Sequence, residues 1–405
     1  MEELELRNKK YNFIVLIASL ILALILAEGI LRIFYPAHYE VLADDQLLLY
    51  KMLPGGQIDK NGFRNDKVLD SYDIVAIGDS QTYGNSVSLT GQAWPQQLSQ
   101  ILGQKVYNMA VAGYGPLQYY YLTKTALNFK PKLVIWGLYL GNDLYDAYDV
   151  AYNQDKTGYW QSFVNAETKK SIDAENLPTI PYEAVLPQSM SDKLTANASI
   201  VLKIRMFLRD HVRLYAFLGD VSRSLREKLG FAKPHEKVVV DDAQQWARTH
   251  PDLGLVYNQA GQDTVLTTVY RNNVLNLKDP RIAAGLEDSK QAILKAKTEL
   301  ESQGTKFLVV IIPTKESVYQ EAALKAKVTS ETYSQLLLNE ASVRGNLDDF
   351  CQSNQLDCFS LLSPLKQALA SSGERLYPRT HDGHPLEAGN KVMAQAIVDY
   401  LNNHK

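Results

Sequence analysis

The chain reads Ile74-Val75-Ala76-Ile77-Gly78-Asp79-Ser80-Gln81-Thr82-Tyr83-Gly84 where its fold is decided. The apolar run makes a short buried strand, and Gly78-Asp79-Ser80 breaks it abruptly. A helical pattern resumes near Trp94 and runs through Leu98 and Ile101. A strand that ends in Gly-x-Ser before a helix delivers one hydroxyl to the carboxyl edge of a sheet, where open α/β folds place their chemistry. Taken alone, the tripeptide reads first as a strand followed by an ordinary Asp-Ser turn or helix cap. The rest of the chain gives it a larger meaning.

Outward from this stretch the pattern alternates. A helix near 93–102 leads to a second strand at 105–110, then Gly113-Tyr114-Gly115 and a helix at 117–128. A third strand, 133–138, runs into Gly141-Asn142-Asp143. After a pause of more than a hundred residues the alternation returns. It gives a helix at 287–302, a strand at 306–312, a helix near 333–350, a short strand at 357–360 and a last helix from about 386. Strands alternating with helices predict an α/β fold with a doubly wound parallel sheet. The expected organisation is a tip and anchor at 1–34, a neck or hairpin at 35–70, and an α/β domain at 71–143 and 281–405. An insertion, aromatic-rich and then basic and helical, fills 144–280. In the neck, Pro54-Gly55-Gly56 and Asn61-Gly62 are turn signals. In the insertion, 198–229 reads as a basic amphipathic helix, either a solvated face over a packed one or a membrane-surface element.

The bulk numbers bound the rest. The 405 residues are 46% hydrophobic, with net charge −3, which gives no electrostatic footprint for nucleic acid. Arg7, Lys9 and Lys10 precede an apolar run from Phe13 to Ala27 that Ile30, Leu31, Ile33 and Phe34 extend. Phe13 to Phe34 rises about 33 Å as a helix, enough to cross a bilayer core. Glu28 and Arg32 are four apart and can pair near a headgroup region. Cleavage after Ala27 would put Ile25 where a signal peptidase needs a small residue, so an uncleaved anchor through residues 11–34 is expected. The positive-inside rule then keeps the N-terminus cytoplasmic and the remainder periplasmic or extracellular. Cys351 and Cys358, the two cysteines, are there either a disulfide or two small core residues.

The chemistry-bearing residues fall at element boundaries. His381-Asp382-Gly383-His384-Pro385 immediately precedes the last helix. A serine hydroxyl needs a base to accept its proton, and the base works best when a carboxylate orients it. Ser80, His384 and Asp382 supply those three catalytic roles. An oxyanion needs donors, and the N–H groups of Ser80 and Gly113 with the side chain of Asn142 are candidates. Other motifs are weaker. The Gly-x-Ser-x-Gly elbow of α/β-hydrolases is absent, because Thr82 holds the last glycine's place. Gln118 spoils a dinucleotide fingerprint, no Walker-type loop appears, and His381 with His384 lacks further metal ligands. No metal and no cofactor are expected.

Together these stretches resemble the SGNH, or GDSL, hydrolase family. Gly78-Asp79-Ser80 matches its first block, Asn108 through Gly113 its second, Gly141-Asn142-Asp143 its third and Asp382-Gly383-His384-Pro385 its last, in the family's order. The resemblance implies a flavodoxin-like three-layer sandwich, Ser80 as nucleophile, His384 as base, and Ser80, Gly113 and Asn142 as oxyanion hole. Two positions depart from the pattern. The family's usual aspartate position, three before the histidine, holds His381 here, with Asp382 one residue later. Leu140 replaces the glycine that usually opens the third block.

The resulting expectation is a membrane-anchored, extracytoplasmic serine esterase that removes an acyl group, such as acetyl, from a surface carbohydrate. Tyr145, Tyr148 and Trp160, just after Asn142, are the candidate sugar-stacking residues. One alternative is O-acyl transfer to an exopolysaccharide or cell-wall glycan, which requires a polytopic membrane acyltransferase partner to bring the acyl donor across. Another is a non-catalytic glycan-binding scaffold.

Overall fold

The computed structural model describes residues 2–34, 42–175, 177, 200–231, 235–259, 261–371 and 373–404. Its contacts define two units: Met1–Glu40 with Gln188–Val238, and Val41–Pro187 with Val239–Lys405.

The larger unit begins with an antiparallel hairpin of β1 (Leu42–Asp45) and β2 (Leu49–Met52). Next come β3 (Ile74–Gly78), β4 (Val106–Asn108) and β5 (Leu133–Tyr139), then β6 (Gly254–Tyr257) and β7 (Thr264–Thr267), then β8 (Lys306–Ile312) and β9 (Asp357–Ser360). Five of these form one parallel sheet in the order β4-β3-β5-β8-β9. Counted along the chain, that is the 2-1-3-4-5 order of flavodoxin-like folds, whose topological switch lies between the first and third strands. Here those are β3 and β5, the strands that lead to Ser80 and Asn142.

Both faces of the sheet are covered, which explains why its strands are continuously apolar rather than alternating. Val75, Ile77, Trp136 and Val309 pack with Leu117 and Leu122 of helix Pro116–Ala126 and Ile293 of helix Pro280–Ser302. Ala76, Ile135 and Val310 face the other way, against Trp94 and Leu98 of helix Trp94–Leu102 and Met393 and Ile397 of helix Glu387–Asn403. The result is the expected three-layer α/β sandwich.

Several elements differ from the sequence expectation for local reasons. The helix expected at 287 starts at Pro280, where Asp279 caps it by accepting Arg281 N–H at 2.9 Å. The second strand stops at Asn108, whose side-chain oxygen takes the Ala110 N–H at 3.1 Å. The stretch 198–229 is two helices, Ile200–His211 and Arg213–Lys228, separated by an extended Val212. The β1–β2 hairpin turns at Leu47 and Leu48, whose N–H groups Asp45 accepts, and the two signalled turns form as well, with antiparallel bridges Gly55–Ile58 and Ile58–Arg64. The hairpin 42–52 and the segments 144–175 and 239–280, expected outside the α/β domain, belong to the same contact unit as the sheet. Residues 178–199 of the expected insertion lie outside the described ones. At the sheet's edge, Cys351 on helix Glu331–Ser353 and Cys358 on β9 form a disulfide with Cα atoms 6.2 Å apart.

In the smaller unit, helix Glu2–Phe34 contains Tyr11–Arg32, long and apolar enough by length and composition to cross a membrane.

Candidate active site

The Ser80 hydroxyl is presented by a four-residue helix, Ser80–Tyr83, at the end of β3. Asp79 caps it, accepting Gln81 N–H at 2.8 Å, and Gly84 ends it in the left-handed conformation. The chain can turn this sharply because Gly78 and Gly137, paired across β3 and β5, leave space for Thr82. A Cβ on either would fall within 2.2 or 2.3 Å of Thr82 Oγ1. Thr82 therefore belongs to the packing of the loop, not to its chemistry.

His384 reaches this loop from the other end of the chain. Its Nε2 is 2.7 Å from Ser80 Oγ, and its Nδ1 is 2.6 Å from Asp382 Oδ1. With Nδ1–H donating to the carboxylate, Nε2 is left as the acceptor facing the hydroxyl. Asp382 also accepts His384 N–H at 3.0 Å and the Ser86 hydroxyl at 2.5 Å. Burial works to raise the Asp382 carboxyl, but the hydrogen bonds from His384 and Ser86 hold it well below the usual carboxylate range. The neighbouring His381 takes no part. Its ring lies 6.5 Å from that of Trp246, and burial, with Lys315 nearby, pushes it down to about 4, so it is neutral. The aspartate two before the histidine thus makes the contact that the usual position cannot. Among the described residues no group of three or more His, Cys, Asp or Glu gathers in a metal-binding cluster.

The oxyanion candidates all follow sheet strands. Gly113 adopts φ +81°, and Tyr50 of β2 donates to Ala112 O at 2.6 Å. A Cβ at Gly113 would come within 2.4 Å of the Tyr50 hydroxyl. Asn142 precedes helix Asp143–Asp149 and donates its amide N–H to Asp146 Oδ2 at 2.5 Å. Three carboxyls surround this region, Asp79 and Asp143 buried and Asp146 half-buried. Burial pushes Asp79 up to about 6 and Asp146 up to about 8, and raises Asp143 well above its ordinary value. Arg271, itself buried, opposes the first two; its guanidinium donates to Gly141 O at 2.5 Å and lies over the Tyr139 ring.

The site has supports that the sequence pattern does not mark. Lys315, fully buried after β8, donates to Val265 O at 2.8 Å, Thr380 O at 3.0 Å and Asp382 O at 2.9 Å, binding the histidine loop to the β6–β7 hairpin. Arg64 donates to Gly84 O at 2.6 Å and Val87 O at 2.8 Å, clasping the loop that carries Ser80. Asn65 exchanges hydrogen bonds with the Asn108 backbone at 2.9 and 3.0 Å. Each is a contact across a long stretch of chain, so no local motif signals it. In the opposite direction, the aromatic reading needs correction. Trp160 is 1% exposed, its indole N–H donates to Leu47 O, and Tyr148, 5% exposed, stacks on Tyr152. Tyr145 is half-buried beside Tyr148. Position in the chain alone makes these rings look like sugar platforms; Trp160 and Tyr148 are core. A hollow of about 600 Å³ lined by Asp73, Lys132 and Lys306 sits at the amino edge of the sheet, away from Ser80, His384 and Asp382.

Residues 270–405 match the family model of the SGNH hydrolase-like domain, acetyltransferase AlgX. That match spans about a third of the chain, and it supports an SGNH hydrolase-like reading of this segment and an enzyme that hydrolyses or transfers acyl groups. No curated protein matches its sequence. Among solved structures it is similar to a G-D-S-L family protein described as lipolytic, from Desulfitobacterium hafniense DCB-2. The identity is 13%, covering 80% of this chain and 97% of that one, with TM-score 0.36. It is also similar to a GDSL-like lipase from Bacteroides thetaiotaomicron VPI-5482, at 10% identity over 82% and 88% of the two chains, with TM-score 0.33.

Proposed function

We propose that this chain is a membrane-anchored, extracytoplasmic serine enzyme that accepts an acyl group on Ser80 and passes it to a second oxygen nucleophile, with a surface carbohydrate as substrate. The observation that carries the reading is the continuous relay Ser80 Oγ–His384–Asp382 at 2.7 and 2.6 Å. His384 Nε2 takes the Ser80 proton as Oγ adds to the ester carbonyl. The carbonyl oxygen becomes an oxyanion that the Ser80 and Gly113 N–H groups and the Asn142 amide receive. Collapse expels the alcohol, which takes the proton back from His384 and leaves an acyl-Ser80. In the second half His384 removes a proton from the incoming water or sugar hydroxyl, which attacks the acyl carbon and frees Ser80. Asp382, held ionised by its hydrogen bonds, stabilises the imidazolium in both halves.

Water as acceptor makes the protein an esterase, and a sugar hydroxyl makes it an O-acetyltransferase. The acetyltransferase named by the matched family favours transfer over hydrolysis, and acetyl as the group moved. Since the single membrane-length apolar helix among the described residues cannot carry an acyl donor through a bilayer, transfer also calls for a polytopic membrane partner.

The test is fluorophosphonate labelling of the full chain in detergent, read by intact mass, with p-nitrophenyl acetate turnover in the presence and absence of oligosaccharide. One adduct on Ser80, absent in Ser80→Ala and His384→Ala, is expected. Acetyl found on the oligosaccharide identifies the transferase; acetate alone identifies the esterase. Labelling that persists in Ser80→Ala, or turnover unchanged by either substitution, overturns the proposal.

A further inference from the structure

Beyond its first two turns, helix Arg213–Lys228 is built inside out. At 3.6 residues per turn, Leu218, Val221, Leu225 and the following Leu229 lie on one stripe within roughly 80° of arc. All four are exposed, Leu225 at 53% and Leu229 at 66%. In the first two turns Leu214, Ala216 and Phe217 are half-buried, but from there on the half-buried residues are Asp220, Arg223 and Glu227, on the face opposite the stripe. A helix in a water-soluble protein does the reverse, turning its apolar stripe to the core and its charges to solvent. The preceding helix, Ile200–His211, likewise exposes Ile204 and Phe207. Leaving such stripes in water is unfavourable by about 25 cal/mol for each Å² of apolar surface. An environment that is apolar on the outside removes that cost.

A second observation says what that environment is. The helix begins on the apolar N-terminal helix: Glu28 accepts Arg213 N–H at 3.0 Å and Leu214 N–H at 2.9 Å, while Arg32 donates to the same carboxylate at 3.0 Å. Glu28 stands near the outer end of the Tyr11–Arg32 stretch. The start of the amphipathic helix is therefore fastened at the level where that stretch would leave a bilayer. Arg226 and Lys228 flank the stripe on either side, placed to meet acidic headgroups. The helix is too charged to span and apolar enough on one face to lie in the interface.

We infer that helix Arg213–Lys228 lies in the outer headgroup layer of the bilayer, with its Leu218–Leu225 stripe in lipid, joined through Glu28 to a retained membrane anchor. The inference rests on the anchored reading proposed above. Its occupant is the lipid surface, not a second copy of the chain or another protein. The arrangement gives the anchor's Glu28 a function, since the carboxylate supplies acceptors for the first N–H groups of the helix.

The experiment places a nitroxide on full-length protein in vesicles of phosphatidylethanolamine and phosphatidylglycerol. Single variants Leu218→Cys, Leu225→Cys, Leu22→Cys and Lys60→Cys are labelled; the paired Cys351 and Cys358 leave the new thiol as the reactive one. Accessibility to oxygen and to a water-soluble nickel complex is then measured. The ratio of oxygen to nickel accessibility is expected to be several-fold higher at 218, 225 and 22 than at 60. Water-like ratios at 218 and 225 with a lipid-like ratio at 22 overturn the inference and leave the anchor standing. A water-like ratio at 22 overturns both. Labels at 218 and 225 shielded from both reagents show a protein partner on the stripe, which also overturns it.

Discussion

The Asn142 amide nitrogen lies 2.5 Å from the Asp146 carboxyl, one turn further along the same helix. One amide proton of Asn142 is thereby committed to Asp146, which fixes the direction of the other. Burial pushes the Asp146 carboxyl up to about 8, so it is uncharged at neutral pH. An uncharged partner can orient Asn142 without opposing a negative charge growing beside it.

This arrangement leads to a pH prediction with a definite sign. Above about pH 8 Asp146 ionises, and an anion beside Asn142 works against the oxyanion. Acyl-enzyme formation should fall on the alkaline side, and Asp146→Asn should keep the neutral-pH rate while losing that fall. Stability carries the same signature. The free carboxyl titrates near 3.8, so folding retains a proton that unfolding releases, and stability declines as pH rises from about 4 to about 8. Asp146→Asn should flatten that decline in urea titrations taken across the range.

Ser86 offers a finer test of the relay. Its hydroxyl holds the Asp382 oxygen that His384 does not use. Ser86→Ala removes one hydrogen bond to a charged group, about 1.5 kcal/mol, or roughly tenfold in kcat if the loss is felt in the transition state. Asp382→Asn should cost far more, about a thousandfold or above, because the imidazole loses its orientation. Equal losses in the two variants would contradict this division of roles between Ser86 and Asp382.

Arg64 predicts a stability effect. The buried guanidinium donates to the carbonyls of Gly84 and Val87. Arg64→Met should lower stability by roughly 3 kcal/mol, through carbonyls left without a donor. Thermal unfolding should move down by several degrees, and fluorophosphonate labelling of Ser80 should slow as its loop loosens. Arg64→Lys supplies charge without the fork and should rescue only part of this.

The edge disulfide should be separable from catalysis. Closing the short loop between Cys351 and Cys358 is worth about 2.5 kcal/mol on chain-entropy grounds. Cys358→Ser or reduction should lower the unfolding temperature while leaving p-nitrophenyl acetate turnover at ambient temperature close to that of the parent.

What can be read from sequence follows from how local each signal is. β3, β5 and β8 are legible because strands covered on both faces are written as unbroken apolar runs. The pairing of Ser80 with His384 is legible because each sits in a compact motif at the end of a regular element. Tyr50, Arg64, Lys315 and Asp146 are not. Tyr50 acts on Ala112 and Lys315 on Asp382, 62 and 67 residues away, and nothing next to them in the chain records the meeting. Trp160 and Tyr148 mislead for another reason: a ring near a site is spelled the same whether it faces a sugar or the core.

Ser80 and His384 are separated by 304 positions. At ribosomal speeds of about 5–20 residues per second, the hydroxyl is made roughly 15–60 seconds before its base. A growing or truncated chain therefore carries Ser80 as an ordinary alcohol, unable to draw acyl groups from the wrong donors. On the proposed roles, Ser80 meets its base only once His384 has been made, after the five sheet strands up to Ser360 are already present. The order of the motifs thus keeps the proposed nucleophile and its proposed base apart for most of synthesis.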